Sequence, residues 1–302
     1  MSLYENETVS GGGWIDLVVN TVSQKDSISN HSWICAMVCS ALVGLSGLFP
    51  IFLLPHQDEN GNETKKKNEP SNLRFLLSFA VGGLIGDVFL HLLPEARQQL
   101  RESVLRGETD WHTGQMRLGL WVLAGLLTFV IVEIMFSIDR DLANNKSEEN
   151  SGIQVGGYLN LIANCIDNFS HGLAVGGAFL VSTKMGLVTT GCILLHEIPH
   201  EVGDFAILMK SGFSRVEAAK AQFWTASLGI SGAMVALILD SFAAVDSFTS
   251  WIIPFTGGGF INIALVTVLP DILNETKTYW DGFQSMSGIC LGILLMMFVS
   301  QI

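Results

Sequence analysis

Eight times along the chain, apolar side chains dominate a stretch of about twenty residues, enough to cross roughly 30 Å of hydrocarbon as a helix rising 1.5 Å per residue. The stretches fall at about 33–54, 72–94, 117–137, 155–182, 186–210, 215–240, 249–273 and 283–300. Within lipid a backbone must satisfy its own hydrogen bonds, so the expected fold is an all-α integral membrane protein with eight transmembrane helices. Composition agrees: 49% of the 302 residues are hydrophobic and 15% charged, with a mean hydropathy of +0.44. A soluble domain carries roughly a quarter charged residues.

The net charge of −12 comes from acids in loops and at a few intramembrane positions, and no basic stripe is present. Nucleic acid is thereby excluded as a partner, and the lipid bilayer is the expected one. Cys35, Cys39, Cys165, Cys192 and Cys290 lie inside the apolar runs without paired spacing. They read as small core residues rather than a disulfide frame or zinc knuckle. Glu5, Glu7 and Asp16 precede the first span, where no basic leader appears, so that span is expected to act as the insertion signal.

Residues 1–32 read as an N-terminal tail and 33–302 as one membrane domain, with mobile polar linkers at about 55–71 and 138–154. An even number of spans puts both termini on one side. Lys and Arg cluster on the loops of the other side, Lys65, Lys66, Lys67, Arg140 and Lys146 among them, which makes the termini lumenal. Gly82-Gly83 followed by Leu93-Pro94-Glu95 is echoed at a constant offset by Gly258-Gly259 followed by Leu269-Pro270-Asp271. These motifs sit in spans 2 and 7, which run in opposite directions. The echo points to an inverted repeat of spans 1–3 against 6–8, framing spans 4 and 5.

Ionisable side chains inside a membrane are expensive, so each is a functional candidate. Span 4 carries Asn160, Asn164, Asp167 and His171 on one helical face, with Asn168 beside them. Span 5 carries His196, Glu197, His200, Glu201 and Asp204 on another. A short turn, Thr183 to Met185, makes the spans antiparallel neighbours, so the two polar faces can meet. Imidazoles mixed with carboxylates suit Zn²⁺, Fe²⁺, Mn²⁺ or Co²⁺, are too soft for Mg²⁺ or Ca²⁺, and lack the thiolate that selects Cu⁺. Pro199 frees one backbone carbonyl beside the site and is expected to help make a local break or a water-accessible pocket. Asp87, His91 and Glu95 on span 2 form a third cluster, either an accessory metal or proton site or a solvated helix end beside Pro94. Glu133 and Asp271 are expected at the membrane interface. No cofactor box is evident, and the metal is cargo rather than cofactor.

His196-Glu197-Ile198-Pro199-His200 also fits the H-E-x-x-H pattern in which two imidazoles bind a hydrolytic zinc and the glutamate acts as base. An intramembrane zinc metalloprotease is therefore the alternative reading. Against it stand the proline inside the motif and the second ligand set on span 4, because such a zinc needs three protein ligands and an open position.

At these residues the chain resembles the ZIP (SLC39) family of metal transporters. His196-Glu197-Ile198-Pro199-His200-Glu201 is similar to the signature of its LIV-1 subfamily. His91-Leu92-Leu93-Pro94-Glu95 and Gly257-Gly258-Gly259-Phe260 also resemble family sequence. Most of that subfamily places His first and Asp four residues later in span 4. Here Asp167-Asn168-Phe169-Ser170-His171 exchanges them, which resembles the thirteenth, Golgi and endoplasmic reticulum, branch. The resemblance implies a non-enzymatic carrier with Asp167, Asn168, His171, His196, Glu197 and His200 as ligands of a binuclear-type site. Asn164, Glu201, Asp204, Asp87, His91 and Glu95 are accessory candidates. It further implies a homodimer in which spans 1, 4, 5 and 6 move against 2, 3, 7 and 8, and a location in the Golgi or endoplasmic reticulum membrane. A carboxylate at the first ligand position favours iron as cargo alongside zinc, because oxygen-rich sites tolerate Fe²⁺. With lumenal termini, glycans are expected at the sequons of Asn6 and Asn30 and not at those of Asn62 and Asn274, which glycosidase shifts of the single Asn→Gln variants measure.

Overall fold

The computed structural model describes residues 30–53, 69–144, 154–239 and 242–301, and every regular element among them is helical. The expected tail up to residue 29, most of the first linker with its three lysines, residues 145–153 of the second linker, and the sequons at Asn6 and Asn62 lie outside the described residues.

Helix α1, Asn30–Leu45, runs into a 3₁₀ turn, Ser46–Leu48, and a short helix, Pro50–Leu53. Helix α2, Glu69–Asp87, passes through a π-helical turn, Val88–Leu92, into α3, Leu93–Leu105. There follow α4, Trp111–Asn144; α5, Val155–Val181; α6, Thr183–Lys210; and α7, Arg215–Leu239. Helix α8, Phe242–Asn262, passes through a second π turn, Ile263–Val268, into α9, Leu269–Glu275, and α10 is Tyr279–Val299.

Five segments are long and apolar enough to cross a membrane: Leu73–Leu105, Trp111–Met135, Arg215–Leu239, Thr249–Glu275 and Tyr279–Val299. A sixth, Ser32–Leu48, is apolar but shorter. At 27 and 28 residues α5 and α6 have the length. They miss on composition because they carry the two polar stripes. Helix α4 turns Leu120, Leu123, Leu127, Ile131 and Met135 outward, a surface suited to lipid.

Several joins differ from the sequence expectation. Pro94 does not end its helix. A proline lacks an N–H and crowds the carbonyl four residues back, and a π turn widens the helix at that place so that it continues. The same device stands immediately before Leu269-Pro270, so both copies of the internal echo carry it. Helix α6 likewise runs unbroken through Pro199, so the expected local break is absent. Thr183 to Met185 is not a turn but the first turn of α6. Only Ser182, in extended conformation, separates α5 from α6, and its hydroxyl accepts from the Met185 N–H at 3.1 Å as an N-cap. Residues 138–144, expected in a linker, extend α4.

Helix α6 ends in a Schellman motif: Phe213 N–H bonds Leu208 O, Gly212 N–H bonds Met209 O, and Gly212 takes φ +98°. Ser214 and Glu217 then form the capping box that starts α7. Thr278 and Asp281 cap α10, and Arg74 from α2 reaches Asp281 at 2.6 Å.

Between helices, small residues let backbones approach closely. Helix α5 packs along α7, α2 along α10, and α8 along α4. A Cβ on Gly172 would lie 1.9 Å from the Gly229 carbonyl oxygen; on Gly82, 2.0 Å from that of Ile289; on Gly258, 2.0 Å from that of Val122. Gly83 has nothing within 4 Å. Gly82→Ala is therefore expected to cost about 1–3 kcal/mol through overpacking, and Gly83→Ala about 0.5 kcal/mol or less. Thermal unfolding of the detergent-purified variants checks the contrast.

Candidate metal centre

Helix α5 buries Asn160, Asn164, Asp167, Asn168 and His171, and α6 buries His196, Glu197, His200, Glu201 and Asp204, each 7% exposed or less. The antiparallel hinge at Ser182 brings the two stripes face to face. His171 Nε2 lies 3.2 Å from His196 Nε2 and 3.9 Å from Asp167 Oδ1. Glu197 Oε1 lies 3.3 Å from His171 Nδ1 and 3.6 Å from His196 Nε2.

Two groups of donor atoms, each within 4.8 Å of one another, result. One is His171, His196 and Glu197; the other is Asp167, Glu197 and His200. The first offers two nitrogens and an oxygen, the second two oxygens and a nitrogen, and Glu197 belongs to both. Glu197 Oε1, His171 Nδ1 and His200 Nε2 are buried without a hydrogen-bond partner. Glu197 Oε1 and His171 Nδ1 are thus close without a well-formed hydrogen bond between them, an arrangement that lets both face a shared cation. Ionised side chains buried in this way are tolerated when a cation neutralises them. The ring of His196 is fixed from behind, with Nδ1 3.2 Å from the Cys192 carbonyl.

A cavity of about 340 Å³ opens beside this centre, lined by His91, Glu95, Asp167, His171, His196 and Thr249. It lies at the Ser182 end of the α5–α6 pair, since Ala178, Met185 and Val188 also line it. The third cluster expected from sequence is therefore split. His91 and Glu95, 3.8 Å apart, face the cavity, and the His91 ring lies 4.4 Å from that of His196, tilted by 42°. Asp87, one turn earlier, is 2% exposed and outside the cavity lining, with Oδ1 unpartnered. The π turn between Asp87 and Glu95 breaks their four-residue register. His91 and Glu95 line the same cavity as Asp167, His171 and His196.

Asn164, Glu201 and Asp204 fall outside both donor groups and form a hydrogen-bonded layer with Gln222 of α7. Both amide atoms of Asn160 are buried and unpartnered. Glu133, expected at the membrane interface, has its Oε2 accepting from Asn262 and Thr267 between α4 and the α8 segment. Sequence reading missed Gln222 and Phe260, whose ring lies 4.9 Å from that of His200. The sequence leaves Gln222 unmarked, since it follows Arg215, Glu217 and Lys220 near the start of α7, and its burial alone singles it out.

The protease alternative gains no support. A hydrolytic zinc takes both imidazoles of H-E-x-x-H, whereas here His196 and His200 fall in different donor groups.

Residues 30–151 and 139–300 match the family described as ZIP Zinc transporter. The chain is 50% identical over 269 residues to Zinc transporter ZIP13 of Pongo abelii, a match covering 89% of this chain and 79% of that protein. It is 46% identical over 294 residues to Zinc transporter ZIP13 of Mus musculus, covering 89% and 81%. With the Zinc transporter ZIP13 homolog of Drosophila melanogaster it shares 42% identity over 318 residues, covering 87% and 88%.

Because Glu197 is common to both donor groups, Glu197→Gln is expected to weaken divalent-metal binding at both. His196→Ala and His200→Ala are each expected to weaken one and spare the other. Equilibrium titration of the purified protein with Zn²⁺ reads the difference as a change in affinity against a change in stoichiometry.

Proposed function

The chain belongs to the ZIP family of zinc transporters, and we propose that Zn²⁺ crosses the membrane through the centre between α5 and α6, held by Asp167, Asn168, His171, His196, Glu197 and His200. It is a transporter and not an enzyme. The observation that carries the ligand assignment is the pair of buried donor groups sharing Glu197, reached from one side by the cavity.

Each of α1, the α2–α3 helix, α4, α5, α6, α7, the α8–α9 helix and α10 then makes one crossing, eight in all, with both termini lumenal in a Golgi or endoplasmic reticulum membrane. Metal passes between the cytosol and that lumen. Two further observations support the inverted repeat of spans 1–3 against 6–8: the matching π turns before Leu93-Pro94 and Leu269-Pro270, and the packing of Gly82 on α10 mirrored by that of Gly258 on α4. Spans 1, 4, 5 and 6 carry the cargo past spans 2, 3, 7 and 8, and the chain works as a homodimer. The three glycine contacts described above, α5–α7, α2–α10 and α4–α8, each lie within one of those two groups. The groups can therefore slide past each other without opening these seams.

The exchanged order of Asp167 and His171 makes iron a second cargo. It assigns Asp167 to the oxygen-rich donor group and His171 to the nitrogen-rich one. Oxygen donors narrow the advantage that imidazole gives Zn²⁺ over Fe²⁺. Radiozinc and radioiron uptake into proteoliposomes of known orientation tests both statements. Wild-type protein is expected to carry both metals, and Asp167→His with His171→Asp to shift the zinc-to-iron ratio. An unchanged ratio rules out the selectivity reading, and loss of metal-dependent flux in neither His196→Ala nor His200→Ala rules out the ligand assignment.

A further inference from the structure

We propose that Asn164, Asp204 and Gln222 are positioning residues, joined in one hydrogen-bond network that decides which atoms of His200 and Asn168 face the cargo. The inference rests on the ligand reading above and replaces the idea that Asn164 and Asp204 are themselves accessory ligands.

The network is read from its Asp204 end, where an ionised carboxylate only accepts hydrogen bonds. Asn164 Nδ2 donates to Asp204 Oδ2 at 2.8 Å and to Gln222 Oε1 at 3.0 Å. Gln222 Nε2 in turn donates to Glu201 Oε2. Asn164 thus turns its NH₂ toward Asp204, and Gln222, with Oε1 taken by that NH₂, turns its own NH₂ toward Glu201.

The orientation of Asn164 then fixes that of Asn168. With its NH₂ committed to Asp204 and Gln222, Asn164 presents Oδ1 to Asn168, whose Nδ2 donates to that oxygen and, at 3.1 Å, to the Asn164 backbone carbonyl. The NH₂ of Asn168 is consumed, and its Oδ1 is left buried with no partner. Oxygen is the amide atom a divalent metal takes.

The other arm fixes His200. Asp204 Oδ2 lies 3.3 Å from His200 Nδ1, which places the single proton of a neutral imidazole on Nδ1. Nε2 is left with its lone pair, buried and unpartnered. A carboxylate behind a metal-binding histidine holds the tautomer and raises ligand basicity. His196 receives the same service from the Cys192 carbonyl. One network therefore ends in two unsatisfied donor atoms of different elements, an amide oxygen and an imidazole nitrogen.

The test uses the full chain in lipid nanodiscs. Zn²⁺ affinity is measured by competition with a chromophoric chelator, and zinc X-ray absorption counts the imidazoles bound. Asp204→Asn keeps the size but can offer an NH₂ to His200 Nδ1, which moves the ring proton to Nε2. The expected result is an affinity weakened by about 10–100-fold and one imidazole fewer in the absorption spectrum, with Asp204→Glu recovering part of both. In a His200→Ala background Asp204→Asn should remove no further imidazole and weaken binding by less than it does alone, the remainder acting through Asn164 and Asn168. If Asp204→Asn does not fold, Gln222→Leu, which unpins Asn164 without touching a ligand, should weaken binding by about 10-fold. Affinity and spectrum equal to wild type in Asp204→Asn, or an effect of that substitution that persists in full without His200, overturns the network and in the second case makes Asp204 a ligand. If His200→Ala itself leaves affinity and spectrum unchanged, the ligand reading fails instead, so the two failures are distinguishable.

Discussion

The four carboxylates of α5 and α6, Asp167, Glu197, Glu201 and Asp204, lie in the interior of the helix bundle at 4% exposure or less. Ionised groups there lose water's solvation, at several kcal/mol each even after relaxation. Among the described residues the buried arginine, Arg74, is committed elsewhere, to Asp281. What compensates the four acids is a ring of imidazoles and amides and, in the proposed function, a transported cation. Much else follows from that requirement. Most imidazole and amide partners stand on α5 and α6 themselves, and the rest, Gln222 and His91, come from neighbouring helices that must pack close, which glycine seams such as Gly172 against Gly229 permit.

The same requirement explains what could be read from sequence. A histidine, aspartate or asparagine inside a run of apolar residues is an anomaly, and two such stripes at helical spacing announced their own helices and faces. Lengths of apolar run announced the all-helical fold. The less legible features were those decided by contacts between helices or by a single residue. Gln222 resembles any polar residue near a helix start until its burial against Glu201 and Asn164 is known. The spacing of Asp87, His91 and Glu95 implied one face, but a π turn, invisible to a 3.6-residue template, set Asp87 apart. Pro94 and Pro199 read as breaks, yet a widened turn absorbed the first and the helix ran straight through the second.

The H-E-x-x-H run shows how a short motif can mislead. Its residues do bind metal in the proposed reading, but α6 divides its two imidazoles between separate donor groups, and the glutamate that would be a base is the oxygen common to both. The donor sets, not the string of letters, separate hydrolysis from carriage. Resemblance to a family supplied the ligand assignment, and the unbonded approach of Glu197 to His171 gives it a physical footing independent of that resemblance.

The join at Ser182 has a kinematic consequence. One extended residue spans at most about 3.6 Å, so the ends of α5 and α6 are tethered with almost no slack. The cavity opens at this tethered end, between Ala178 and Met185. Passage there cannot come from prising α5 and α6 apart. The walls free to part are those facing His91 and Glu95 on one side and Val245, Thr249 and Ile253 on the other. The two site-bearing helices are thus yoked, and any widening of the entrance belongs to their neighbours.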